Sequence, residues 1–304
     1  MYMKELFERI NQLQNLLGES DYVIIGGGAG LSTAAGIDYG GERFTSNFKE
    51  FIEKYNFTDM YTAGFYPFKS QEEKWAYWAK HVYMNNVSMG STELYKKLYD
   101  LVKDKNYFVI TTNVDDQFVK SGFDDKKVFA TQGSYRLIQC KNACHDKLYD
   151  DTEIVKEMMA NTDSELKIPS DLVPKCPVCG KDMELNLRID NNFVEDETWQ
   201  KHNNDYRDFV NNAKKGKTLL LEFGVGFNTP AIIRFPFESI AAQYDDWNLV
   251  RFNKDNLELV VVQNNQASLL PVSKLDDIKL SNNFQDRYIP FSEDIELVID
   301  ELLS

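Results

Sequence analysis

The chain has 304 residues, is 43% hydrophobic, and carries 34 Lys plus Arg against 48 Asp plus Glu, a formal charge of −14. That size and composition support a globular core without covalent staples, and so acidic a surface repels phosphate backbones, so no nucleic acid is expected as a main partner. No apolar run approaches the roughly 18 residues that would cross a bilayer, and MYMKELFERI lacks the basic and apolar regions of a leader; no membrane partner and a cytoplasmic location are expected, with four cysteines that do not make a disulfide scaffold.

Leu6, Phe7, Ile10, Leu13, Leu16 and Leu17 recur at helical spacing and stop at Gly18, which predicts an amphipathic helix over residues 3–17 closed by a C′ glycine. Tyr22-Val23-Ile24-Ile25 is a β-branched run that leads into Gly26-Gly27-Gly28-Ala29-Gly30 and then an alanine-rich stretch, the pattern of strand, glycine loop and helix. Further strands are predicted at 107–111, 128–130, 218–223, 249–252 and 259–262, helices fall between most of them, and residues 292–303 read as a closing helix. The alternation predicts an α/β fold, a Rossmann-like and mostly parallel sheet. Two stretches break the rhythm: 42–90 is crowded with aromatics, and 135–200 holds all four cysteines. Both read as insertions that build a smaller helical and zinc-binding lobe, leaving about 1–41, 91–134 and 215–304 to the Rossmann lobe. Trp75-Ala76-Tyr77-Trp78 reads as core rather than as a stacking platform, and Lys214-Lys215-Gly216-Lys217 as a solvated loop.

Glycines after a strand let backbone amides approach a pyrophosphate at a helix N-terminus. The G-x-G-x-x-G spacing is not met, since the sixth residue from Gly26 is Leu31 and from Gly28 is Thr33, so a ligand-free turn stays open on spacing alone. Read onward, Gly28-Ala29-Gly30-Leu31-Ser32-Thr33-Ala34-Ala35-Gly36-Ile37-Asp38-Tyr39 resembles the sirtuin cofactor motif G-A-G-x-S-x-x-A-G-I-P-D-F, with the proline absent and Tyr39 in place of Phe. The resemblance implies NAD contacts from Gly28, Ala29, Gly30, Ser32, Ala35, Asp38 and Tyr39, with Arg43 as the arginine of the following loop.

Thr111-Thr112-Asn113-Val114-Asp115 is similar to the family's T-Q-N-I-D. By that resemblance Asn113 orients the nicotinamide ribose or a water beside it, and Asp115 accepts from the carboxamide; on its own N-V-D reads as an Asx turn after a strand. Gln132-Gly133-Ser134 falls where the family has H-G. Deacylation needs a base there to take a ribose proton, and a neutral carboxamide is too weak a base to take one near neutral pH. The substitution favours ADP-ribosyl transfer, and the resemblance implies that Gln132 holds a ribose hydroxyl. Phe223-Gly224-Val225-Gly226 resembles the family's G-T-S turn and Arg251-Phe252-Asn253 its x-I-N, which adds Gly224, Val225, Gly226 and Asn253 to the expected cofactor contacts. Leu187-Arg188-Ile189-Asp190-Asn191-Asn192-Phe193-Val194-Glu195 replaces the peptide-pairing strip R-P-x-V-V-x-F-G-E. Arg188 is either a structural remnant or a group that steers an acidic acceptor.

Three residues separate Cys140 from Cys144, two separate Cys176 from Cys179, and thirty-one lie between the pairs. That spacing fits one structural Zn²⁺ held by four thiolates, with Gly180 allowing the knuckle turn; His145 is either a replacement ligand or a neighbour. His81, His145 and His202 fall in none of the matched blocks. The chain resembles most the macrodomain-linked class M branch of the sirtuins. That resemblance implies an NAD-dependent protein ADP-ribosyltransferase whose acceptor is a lipoylated glycine-cleavage H-like carrier protein, with a macrodomain hydrolase as a further partner. The alternatives are an NAD-dependent deacylase, an NAD hydrolase and a non-catalytic NAD-binding module.

Overall fold

The computed structural model describes residues 6–263 and 266–304. In chain order its strands are β1 (Tyr22–Gly27), β2 (Tyr107–Thr111), β3 (Val128–Ala130), β4 (Gly133–Cys140), β5 (Tyr149–Asp150), β6 (Met183–Leu187), β7 (Thr218–Phe223), β8 (Trp247–Phe252), β9 (Leu259–Gln263), β10 (Gln266–Leu270) and β11 (Tyr288–Phe291). Six of them make one sheet in the order β11-β8-β7-β1-β2-β3, and every pair is parallel. The order reverses between β1 and β7, so the loops leaving the C-terminal ends of these two strands bound the crevice in which open α/β sheets take ligands.

The strands read as continuous apolar runs because both faces are covered. Val23, Ile25, Val109, Leu219 and Leu221 pack toward the helices Leu6–Glu19, Glu93–Val102 and Ile295–Leu303. Ile24, Phe108 and Leu220 point the other way, toward Glu197–Ala213 and Arg234–Gln243. On that second face Glu222 and Arg251 are register partners. Both are wholly buried, in a two-pronged pair at 2.6 and 3.0 Å that Glu238 joins at 2.7 Å.

Two expectations about elements need correction. The run 259–262 is not a strand of the parallel sheet: β9 pairs antiparallel with β10 in a separate hairpin. The sixth strand is β11, which holds Pro290; proline has no N–H to give and is tolerated at a sheet edge, where β11 lies. The first helix runs Leu6–Glu19, with Gly18 inside it rather than beyond it, and the Ser20 hydroxyl closes the last turn on the Leu16 carbonyl at 2.6 Å. Residues 3–5 of that expected helix lie outside the described residues.

A second core gathers the two irregular stretches. Phe44, Phe48, Phe51, Trp75 and Tyr77 pack with Ile138, Cys140, Cys176 and Leu185. Trp75 and Tyr77 are fully buried, which makes them the core residues expected. Here β5, β4 and β6 form an antiparallel sheet with β4 in the middle.

Candidate active site

The glycine loops of β1 and β7 meet at the reversal of strand order. The Gly28 amide donates to the Phe223 carbonyl at 2.9 Å and the Gly30 amide to the Gly224 carbonyl at 3.0 Å. A Cβ on Gly30 would lie 2.8 Å from Gly224 Cα, and one on Gly224, whose φ is +61°, would lie 2.2 Å from the Leu31 nitrogen. Backbone meets backbone here, and only glycine on both sides permits it. The amides of Gly28 and Gly30 are therefore engaged within the protein, and at the loop crest Ala29 is exposed. Val225 is buried and its carbonyl accepts from the Asn253 side chain at 3.0 Å, while Gly226 is half-buried beside it. The Asn253 side-chain oxygen caps its own turn, accepting from the amides of Asp255 and Asn256.

Below the crevice a buried network joins three elements. The Asn113 amide lies 2.9 Å from the Gly28 carbonyl, 3.0 Å from the Ser32 hydroxyl and 3.1 Å from the Tyr95 hydroxyl. Ser32 donates to Asp115 at 2.5 Å, and the Gln117 amide donates to the other Asp115 oxygen at 3.1 Å. Burial raises the Asp115 carboxyl above its ordinary range, and those two donors work against the rise. A cavity of about 290 Å³ reaches this network and is bounded by Asn113, Asp115, Asp116, Ser134, Arg136 and His202.

Gln132 stands half-buried between β3 and β4. Its carbonyl accepts from the Arg188 amide at 3.0 Å, and its side-chain amide has no partner among the described residues. The β4–β6 ladder is what brings Gln132 and Arg188 together, since Gly133 pairs with Leu187. The Arg188 guanidinium is turned to Glu195 at 2.5 Å and lies over Phe193, 4.2 Å from the ring centre. Arg43 also faces inward, to the Asp38 carbonyl at 3.0 Å and Asn85 Oδ1 at 2.8 Å. Each of these two arginines already has protein partners. Asp38 is exposed and caps the Gly40 amide, and Ala35 packs on the core under the glycine loop.

The Tyr39 hydroxyl bonds to that of Tyr135 at 2.7 Å. Behind Tyr135 lies fully buried His81, ring centres 4.9 Å apart. Tyr77 gives its single proton to the Met60 carbonyl at 2.6 Å, so His81 Nδ1 must be the donor across its 3.3 Å contact with Tyr77. Nε2 is then proton-free and has no partner among the described residues. Burial pushes the His81 pKa down to about 3, with the Arg43 charge adding to it. His81 is a neutral ring at neutral pH.

The four cysteine sulfurs lie within 4.8 Å of one another, with Cys140–Cys179 and Cys144–Cys176 each at 3.6 Å. Four thiolates at 2.3 Å around a tetrahedral Zn²⁺ would be about 3.8 Å apart, so the donor set and its spacing fit that ion. His145 sits beside the set: Nδ1 is 3.1 Å from the Cys144 sulfur, and Nε2 is 2.9 Å from the Tyr149 hydroxyl.

Comparison with known proteins agrees with this geometry. A model of the Sir2 family matches residues 28–213. The chain belongs to the Sir2 family. The protein ADP-ribosyltransferase of Staphylococcus aureus (strain Mu50 / ATCC 700699) is 32% identical over 304 residues, spanning 100% of this chain and 90% of that protein. The probable bifunctional ADP-ribose hydrolase/ADP-ribosyltransferase of Fusarium oxysporum f. sp. cubense is 30% identical over 239 residues, 75% of this chain and 39% of that protein. Among solved structures, Sir2Tm bound to a propionylated peptide shares the fold, with a TM-score of 0.58 at 16% identity over 97% of both chains.

This Sir2-family site includes residues that no motif marked. Tyr95 comes from the helix Glu93–Val102, and Asn86 from the π-helical turn Tyr83–Val87. Asp151 is fully buried behind Arg136, its amide donating to the Arg136 carbonyl at 3.0 Å, and both carboxyl oxygens lack partners among the described residues. Burial first, then the charges of Asp150 and Asp116, pushes its pKa from 3.8 up to about 8. A raised carboxyl favours folding fully below its unfolded pKa and loses that contribution as pH rises through its folded pKa. Asp151→Asn, which cannot ionise, is therefore expected to gain on the native protein as pH rises from 4 to 9, with most of the gain in place by about 8. Melting curves of both proteins across that range check this, and a difference independent of pH contradicts it.

Proposed function

We propose that this chain transfers ADP-ribose from NAD⁺ to a protein acceptor and releases nicotinamide. The carrying observation is Gln132: a group that cannot ionise, with its amide unclaimed by the protein, on the loop beside the Asn113–Asp115 network. In this reading NAD⁺ lies in the crevice at the strand reversal, between the Rossmann lobe and the smaller lobe. The buried Asp115 accepts from the nicotinamide carboxamide and holds the ring in one orientation. Gln132 holds a ribose hydroxyl. The bond from C1′ to the nicotinamide nitrogen breaks as an acceptor nucleophile bonds to C1′. An acceptor that is already ionised needs no base at the Gln132 position, and neutral, enclosed His81 is not placed to be one.

The name and full-length coverage of the Staphylococcus aureus relative support the same activity. We assign the finer acceptor by resemblance, a lipoylated carrier protein, with a macrodomain hydrolase to reverse the modification and cytoplasm as the setting. Cys140, Cys144, Cys176 and Cys179 would hold a Zn²⁺ that cross-links the smaller lobe and takes no part in the chemistry. Incubation with labelled NAD⁺ and lipoylated carrier tests the reading. Label on the carrier with matching nicotinamide release is expected. Free ADP-ribose without labelled protein would point instead to a hydrolase, and loss of an acyl group from an acyl-lysine peptide to a deacylase.

A further inference from the structure

Three segments converge on Asp116, the residue after Asp115. Its backbone is in the left-handed region, φ 58° and ψ 17°, which a residue with a Cβ adopts against a steric penalty. It occupies the cap position of the short helix Gln117–Lys120, yet its side chain makes no cap bond there. The carboxylate turns away and accepts from Asn86 Nδ2 at 2.8 Å and from the Ser134 hydroxyl at 2.9 Å to each oxygen, with Arg136 Nε 3.9 Å off.

The two hydrogen-bond donors, Ser134 and Asn86, belong to different segments. Ser134 is two residues past Gln132, and between them Gly133 has φ +93° and is wedged on β6, where a Cβ would fall 1.8 Å from the Asn186 carbonyl oxygen. Asn86 belongs to the π-helical turn Tyr83–Val87, an irregularity that helices often carry at functional positions. The same Asn86 amide reaches the Asp115 carbonyl at 3.4 Å, and Lys120 holds the Asn86 carbonyl at 2.7 Å. One backbone bond runs parallel to these, from the Tyr135 amide to the Val114 carbonyl at 2.9 Å.

We propose that Asp116 is a positioning residue: by accepting from Ser134 and Asn86 together, it holds the loop of Asn113 and Asp115 in register with the loop of Gln132. A helix cap would bond to its own helix; Asp116, in a left-handed turn that aspartate tolerates, instead gives both carboxylate oxygens to the two neighbouring segments. The proposal rests on the transferase reading for its kinetic readout alone.

The test compares Asp116→Gly and Asp116→Asn with the native protein by amide hydrogen exchange, by NAD⁺ calorimetry and by initial rates. Asp116→Gly should speed exchange about tenfold or more in both 113–115 and 132–135 while β1 stays protected. Its kcat should fall about tenfold or more with KM for NAD⁺ within about threefold, the pattern of lost alignment rather than lost binding. Asp116→Asn keeps one acceptor oxygen and should lie between the two. Exchange that rises in one loop only, or in neither, overturns the proposal, as does a kcat for the glycine variant within about twofold of native. If the native protein binds NAD⁺ without any transfer, the functional reading fails while the exchange result still decides the role of Asp116.

Discussion

Gln132→Ala is expected to lower ADP-ribosyl transfer by about 10²-fold or more, the size of loss seen when one positioned hydrogen-bonding group is removed from a reacting centre. The fold should be indifferent to the change. What ties Gln132 into the protein is its carbonyl, which accepts from the Arg188 amide, and that bond survives truncation of the side chain. A melting temperature within a degree or two of native, together with lost transfer measured on labelled acceptor, is the expected pair of results. Retention of full activity would remove Gln132 from the reaction. Gln132→His asks the complementary question. An imidazole there supplies the base that deacylation needs, and its effect on an acyl-lysine peptide measures how far that one position separates the two chemistries.

Loss of the Zn²⁺ proposed at Cys140, Cys144, Cys176 and Cys179 is expected to damage the fold severely. Structural zinc in thiolate sites contributes roughly 10 kcal/mol of apparent binding energy to the folded state. Two of the sulfurs, Cys140 and Cys176, are buried in the second core. Cys140→Ser, or removal of the ion by a chelator, should lower the melting temperature by about 10 °C or more. Activity should fall before the sheet of six strands unfolds. Cys140 pairs with Met183 at one end of the β4–β6 ladder, and Gly133 pairs with Leu187 at the other, so disorder among the cysteines is felt at Gln132 and Arg188. Zinc content, melting and transfer rate measured on one preparation check this, and an unchanged melting temperature after complete removal of the ion contradicts it.

The family and the parallel sheet were legible because their signals are local. Glycine loop, N-V-D, Q-G-S and the second glycine turn each fit in a few consecutive residues, and the buried strands announce themselves as apolar runs. What escaped is what depends on distant partners. The glycines that are present serve a contact no local spacing marks, the close approach of Gly28 and Gly30 to Gly224 in the loop after β7. In β11 a proline sits inside a short run, and its tolerance depends on an edge position that only the assembled sheet supplies. Tyr95 and Asn86 lie on helices where tyrosine and asparagine carry no signature, and Asp116 is one more acidic residue in an acidic chain. Arg43 and Arg188 were legible as positive charges near the site, but their occupation by Asn85, the Asp38 carbonyl and Glu195 was not.

That occupation bears on ionic strength. In a protein of charge −14, two arginines near the crevice are already engaged by protein partners, and the long-range field opposes an approaching dinucleotide diphosphate. Added salt screens that field over about 10 Å at 0.1 M while leaving short hydrogen bonds inside the crevice largely untouched. Affinity for the dinucleotide should therefore hold or rise with salt, the reverse of what a phosphate site built on exposed cations would show.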